Sequence, residues 1–175
     1  MKKFVILLFV AMAALSTKAQ VYVGGTVSLW SNDDYDATNF QLAPEVGYNL
    51  NKKWAIGGVL SLSHNKLEVE GMKSKTNTFA FVPYARYSYY ENKVVRLFIQ
   101  GELGFSSSKT KGADSVSGFE IGCSPGISIK LNDNFSLLAG LGFLGFRDDF
   151  INPALNGFGF NFSSEDLTFG FQYKF

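Results

Sequence analysis

A chain of 175 residues has room for one domain, and its 46% hydrophobic content with 18% charged residues excludes a disordered polymer. Sixteen Lys and Arg against fifteen Asp and Glu leave a formal charge of +1, with no basic excess to engage nucleic acid. The 18 Phe, 8 Tyr and 18 Gly beside one His and one Cys favour strands and leave little for metal or thiol chemistry.

The chain begins with Lys2 and Lys3, an uninterrupted apolar run from Phe4 to Leu15, and then Ser16-Thr17-Lys18-Ala19 before Gln20. This is the pattern of a signal peptide cut after Ala19, and the run is well short of the roughly 20 residues a spanning helix needs. We therefore expect residues 1–19 to be removed and residues 20–175 to form the folded domain, exported through the inner membrane.

From Gln20 onward, alternation with period two recurs along the chain and no useful stretch has helical spacing. It predicts strands near 21–30, 39–50, 54–65, 78–90, 94–105, 118–131, 135–146 and 166–175. One face of the first three carries Val21, Val23, Val27 and Leu29, then Phe40, Leu42, Val46, Tyr48 and Leu50, then Trp54, Ile56, Leu60 and Leu62. The next two add Phe79, Phe81, Ala85, Tyr87 and Tyr89, then Val95, Leu97, Ile99, Leu103 and Phe105. The last three add Phe119, Ile121, Cys123, Ile127, Ile129 and Leu131, then Phe135, Leu137, Ala139, Leu141 and Phe143, and finally Leu167, Phe169, Phe171, Tyr173 and Phe175. No charge falls on this face. The other face holds Gln41, Glu45, Arg86, Arg96, Gln100, Glu102, Glu120, Lys130, Gln172 and Lys174 among many Gly and Ser.

Alternation alone fits either a soluble barrel with a greasy core or a membrane barrel with a greasy outside. The polar face is rich in small residues and nearly neutral, as a narrow lumen requires, and a small soluble barrel could not hold so many bulky apolar side chains. Strands of this length also suit a tilted bilayer crossing. The expected fold is an all-β, eight-stranded antiparallel up-and-down transmembrane β-barrel with its apolar face toward lipid.

Three short connections, Asn51-Lys52-Lys53, Glu91-Asn92-Lys93 and Asn132-Asp133-Asn134, alternate with longer ones near 31–38, 66–77, 106–117 and 147–165. In outer-membrane barrels the short turns are periplasmic. Three similar segments carry Pro44, Pro83 and Pro125 shortly before these turns. Proline cannot donate to a ladder, so a bulge or local distortion is expected at each.

With these features the mature chain resembles small outer-membrane β-barrel proteins of the OmpA/OmpX-like type, in particular the outer membrane protein beta-barrel domain family. The likeness is carried by the signal peptide, Ala43-Pro44-Glu45-Val46-Gly47-Tyr48, Trp54-Ala55-Ile56-Gly57-Gly58, and the end Leu167-Thr168-Phe169-Gly170-Phe171-Gln172-Tyr173-Lys174-Phe175. The resemblance implies a bacterial outer-membrane address with outer-membrane lipids as neighbours. It also implies recognition by the barrel-assembly machinery through Phe169, Phe171, Tyr173 and Phe175. A monomer is expected, and no cofactor.

For the interior, mutual pairing among Glu45, Arg86, Glu102, Glu120 and Lys130 is the expectation, because charges walled off by lipid are costly when unpaired. An eight-stranded barrel is filled by side chains, which argues against a permanent channel. His64 shows no His-x-Ser arrangement like that of the deacylase barrels, and nucleophile, base and orienting acid cannot be assembled around it, so a lipid-modifying enzyme is disfavoured. Cys123 reads as a small apolar residue, and Asn32-Asp33-Asp34-Tyr35-Asp36 as a solvated loop without metal-site spacing. Phe158, Phe160 and Phe162 are out of step with the last strand. They read as an extension past a bulge or a fold over the barrel mouth, with a sticky rim as the alternative. The expected role is noncatalytic, in envelope integrity or surface interaction; a narrow solute pore, a barrel enzyme and a soluble lipocalin-like carrier are the alternatives.

Overall fold

Every strand pairing among the described residues is antiparallel. In the computed structural model, residues 20–32, 37–69, 72–151, 156–162 and 168–175 are described. The expected signal segment 1–19 and residues 33–36, 70–71, 152–155 and 163–167, with Leu167 of the expected lipid face, lie outside them. The strands are β1 (Val21–Asn32), β2 (Ala37–Asn49), β3 (Trp54–Val69), β4 (Met72–Glu91), β5 (Val95–Thr110), β6 (Ser115–Lys130), β7 (Phe135–Gly140), β8 (Phe143–Asp148), β9 (Gly157–Asn161) and β10 (Thr168–Lys174).

These ten strands make eight staves. β7 and β8 lie end to end along β6, and β10 and β9 lie against them in turn. β5 pairs with β6, and β10 closes the cylinder on β1 through Tyr22–Gly25 and Phe171–Lys174. The large apolar side chains point away from the axis: Leu60, Leu62, Phe81, Ile99, Leu103, Phe105, Ile121, Leu137 and Phe171 are all exposed. The interior holds Glu45, Arg86, Glu120, Ser61, Ser88, Ser106 and Ser128, all buried. The barrel is inverted relative to a soluble one, as the clean alternation predicts, and a soluble lipocalin-like arrangement is excluded.

The three short turns share one construction. Asn51 Oδ1 accepts from the backbone N–H of Lys53 and Trp54 at 2.8 and 2.9 Å, and Asn92 Oδ1 from Val94 and Val95 at 2.8 and 2.7 Å. Asn132 Oδ1 accepts from Asn134 and Phe135 at 3.0 and 2.7 Å. A side-chain carbonyl thus replaces a backbone turn bond in each. The second turn starts one residue later than expected, at Asn92. The β4–β5 register slips between Ser88 and Tyr90, so β4 carries one extra residue before its end.

The prolines interrupt their ladders on one side only. Pro44 stays paired with Gly25 of β1, but the β2–β3 ladder has a gap between Leu42 and Glu45. Pro83 stays paired with Gly58, but the β4–β5 ladder has a gap between Phe81 and Tyr84. At Pro125 the pairing with Ile99 holds while the far side shifts by one residue, from Gly126↔Gly140 to Cys123↔Leu144. Each missing N–H therefore faces the following stave, and only the third forces a bulge.

That bulge overturns one assignment. Gly142 sits at φ +121°, and the extra residue between β7 and β8 reverses which parity faces inward. Leu137 and Leu141 point to lipid, but Phe143 is buried in the lumen while Leu144 and Phe146 are exposed. The loops near 66–77 and 106–117 are also shorter than expected, because β3–β4 pair to Val69↔Met72 and β5–β6 to Lys109↔Ser115. These ribbons are largely polar in sequence. Thr76–Thr110 and Thr78–Ser108 hydroxyl bonds of 2.8 and 2.9 Å support them across strands.

Candidate functional site: the barrel interior

Inward aromatics dominate the lumen more than its polar sequence suggests. In the row Tyr22–Gly47–Gly57–Tyr84, two glycines on β2 and β3 separate two tyrosines on β1 and β4. A Cβ on Gly47 would collide with the Tyr22 ring, and one on Gly57 with Tyr84. The rings lie over the bare backbone and their hydroxyls meet at 2.6 Å. Phe98 lies over its partner Gly126 in the same way, and Phe143 over Gly122. Many lumen glycines are therefore seats for rings from adjacent strands.

Around this row a continuous polar relay crosses the barrel. Tyr84 donates to Glu45, whose Oε1 also accepts from Arg86 Nη2 at 2.8 Å. Because the Tyr84 proton is committed to Glu45, the Tyr22 hydroxyl donates to Tyr84. Arg86 Nε and Nη2 reach Gln100 Oε1 at 3.1 and 2.7 Å. Gln100 Nε2 donates to Glu102 at 2.8 Å, and Ser124 donates to the other Glu102 oxygen at 2.7 Å. The Arg86 guanidinium carbon also stands 4.5 Å from the Phe98 ring centre and 4.9 Å from that of Tyr84. Removed from water, this cation is held by one carboxylate, one amide and two ring faces.

The five charges expected to pair among themselves divide into three groups. Glu45, Arg86 and Glu102 share the central relay. Glu120 instead binds Arg147 Nε at 2.9 Å, with Arg147 lying 3.9 Å over the Phe143 ring. Lys130 stands at the periplasmic end, bound to Glu91, which also holds Arg96 at 3.0 Å. The alternation placed these groups on the right face, but it carries no depth along the axis, and the β7–β8 bulge hid Arg147. Tyr22, Tyr84 and Gln100 are the members missed; the Tyr-over-Gly register between neighbouring strands was the signal that could have found them.

The extracellular mouth is closed in part by Phe150, which is buried over Gly104. Asp149 and Ile151 on either side take left-handed φ values of 47° and 56°, and Asn156 ties back to Asp149 through bonds of 2.8 and 2.9 Å. Phe158 and Phe160 pair with Phe146 and Leu144 in the β8–β9 ladder and point outward at 79% and 75% exposure. They extend the eighth stave on its lipid side.

His64 bonds only to Asn77, at 2.6 Å, among the described residues. No cluster of three or more His, Cys, Asp or Glu there could hold a metal ion. Cys123 is a free thiol.

Two kinds of space remain inside the cylinder. A chamber of about 400 Å³ above the Arg86 layer is lined by Glu102, Phe143 and Arg147, among others. Below it, concavities of about 800 and 630 Å³ open at the turns. A small pocket of about 10 Å³ beside the first short turn touches Tyr22, Arg86, Arg96 and Gln172, room for no more than one water.

A closed antiparallel cylinder with an apolar exterior and an ion-paired interior defines a transmembrane β-barrel of the outer-membrane class. The profile of the family described as "Outer membrane protein beta-barrel domain" matches residues 4–175, and the chain belongs to that family. Among solved structures it is similar to neisserial surface protein A, at 14% identity and a TM-score of 0.52, over 89% of this chain and 96% of that one. It is also similar to the Yersinia pestis outer membrane protein Ail in a phospholipid nanodisc, at 19% identity and a TM-score of 0.45, over 90% and 100% of the two chains. OmpT, an outer membrane protein of Vibrio cholerae in its trimer form, shares 15% identity at a TM-score of 0.36, over 91% of this chain and 53% of that one. The first of these likenesses speaks to the fold and not to an activity. No curated protein matches the chain.

Proposed function

We propose that this chain is a noncatalytic barrel that strengthens the envelope or presents loops at the cell surface, and that it does not conduct solutes. The observation that carries this reading is the cross-lumen layer of Tyr22, Tyr84, Glu45, Arg86 and Phe98. A layer whose cation is ion-paired and stacked between rings is a structural plug, since moving it would strand Glu45. The absence of a nucleophile–base pair around His64 among the described residues supports the noncatalytic part.

Within the same reading, residues 1–19 direct export, and Phe169, Phe171, Tyr173 and Phe175 on the closing strand serve assembly. All four aromatics are exposed on the lipid side, where a folding machine could read them before closure. Conductance of the refolded barrel in planar bilayers tests the plug. We expect no unitary currents; steady current steps at modest voltage would replace this reading with a narrow pore.

A further inference from the structure

The periplasmic end carries more positive charge than the barrel needs for its own pairing. Lys52, Lys53, Lys93, Arg96, Lys130 and Lys174 line the two concavities at the turns, against Glu91 and Asp133. Arg96, Lys130 and Lys174 lie on the inward parity of β5, β6 and β10, opposite the lipid-facing Ile99, Ile129 and Tyr173. Their charges therefore converge on the axis instead of spreading around the rim.

The cup already shows how it holds a carboxylate. Glu91 Oε1 binds both Arg96 and Lys130. Arg96 Nε is buried with no partner among the described residues, and Lys53 and Lys174, both exposed, make no ion pair there. The concavities are lined by residues of the turns, so a ligand arriving from the periplasm meets these cations first.

We propose that this cup is a docking site for an acidic peptide segment of a periplasmic partner, whose carboxylates engage Arg96, Lys53 and Lys174. The chemistry favours a soluble polycarboxylate over a lipid headgroup, because the inward cations lie behind the barrel wall from the bilayer. A concave, low-dielectric wall of one sign focuses field and raises both on-rate and selectivity for the opposite charge. This goes beyond the structural role above and does not depend on the interior plug.

The test uses the chain refolded in neutral detergent, and in nanodiscs of phosphatidylcholine with or without phosphatidylglycerol, titrated with fluorescein-labelled octaglutamate. We expect saturable anisotropy in all three, lost steeply as salt rises. Binding should weaken at least tenfold in Lys53→Gln/Lys174→Gln, and also in Lys174→Gln alone to a lesser degree. Lys109→Gln/Lys111→Gln at the opposite end should bind as the parent does. Heat-dependent gel mobility confirms that each variant is folded. Absence of saturable binding, equal affinity in the double variant, abolition by phosphatidylglycerol, or preferential binding of tripolyphosphate over the peptide would each overturn the proposal. Failure here would leave the conductance result intact, so the two readings fall separately.

Discussion

Gly47 lies directly under the ring of Tyr22, its register partner across the β1–β2 ladder, so closely that even one added methyl group would overlap the ring. The ring is fully buried and its hydroxyl is the first donor of the relay that ends on Glu45. Gly47→Ala should therefore destabilise the barrel by about 1–3 kcal/mol, the usual range for overpacking a tight interior. Gly159→Ala has open space around it and should change little. Urea unfolding in lipid vesicles, followed by tryptophan emission, compares the two; equal midpoints would mean that the ring can move aside without loss.

Arg86 offers a sharper comparison. Both it and Glu45 are buried, 2.8 Å apart, so Arg86→Ala leaves a carboxylate without its cation and should cost about 3–5 kcal/mol. Replacing both, as in Arg86→Met/Glu45→Gln, removes the uncompensated charge and should recover much of that loss. The double-mutant cycle read from unfolding midpoints decides the matter. Strictly additive losses would show that the pair acts as two independent residues.

The alternation of apolar and polar positions made the cylinder and its inverted orientation legible, because lipid contact forbids charge at every second residue. The same pattern carried no information on depth, so Lys130 was grouped with Glu45 although one sits at the turns and the other at mid-barrel. Parity also fails wherever a residue is inserted. Gly142 moved Phe143 from lipid to lumen and brought Arg147 to Glu120, and nothing in the local composition marks that position apart from other Gly-rich stretches. Ring-over-glycine pairs such as Tyr22–Gly47 depend on register between strands, which a single strand's sequence does not state.

Asn92 and its counterparts permit a test of turn chemistry free of interior packing. Each Asn side chain accepts two backbone N–H groups at the start of its turn, and all three are exposed. Substituting Asn92 by Ala should cost about 1 kcal/mol, as expected for modest net hydrogen bonds at a wet surface. Asn51→Ala and Asn132→Ala should match it within a factor of about two, the scatter ordinary for equivalent contacts. A much larger effect at one of them, measured by unfolding midpoint, would mark that hairpin as the one on which closure depends.

Trp54 reports on how the cylinder sits in the bilayer. It opens β3 immediately after a short turn, is exposed on the lipid face, and packs its ring 4.9 Å from that of Tyr87. Aromatic side chains at such a position occupy the headgroup boundary, where an apolar body and a polar N–H are both satisfied. In a Trp30→Phe background, Trp54 emission should be quenched most by lipids labelled near the headgroup and least by those labelled near the chain terminus. Quenching that peaks at the chain terminus would shift the apolar belt toward the periplasmic turns. It would then place the Lys52–Lys53 turn inside hydrocarbon, which two adjacent ammonium groups would not tolerate.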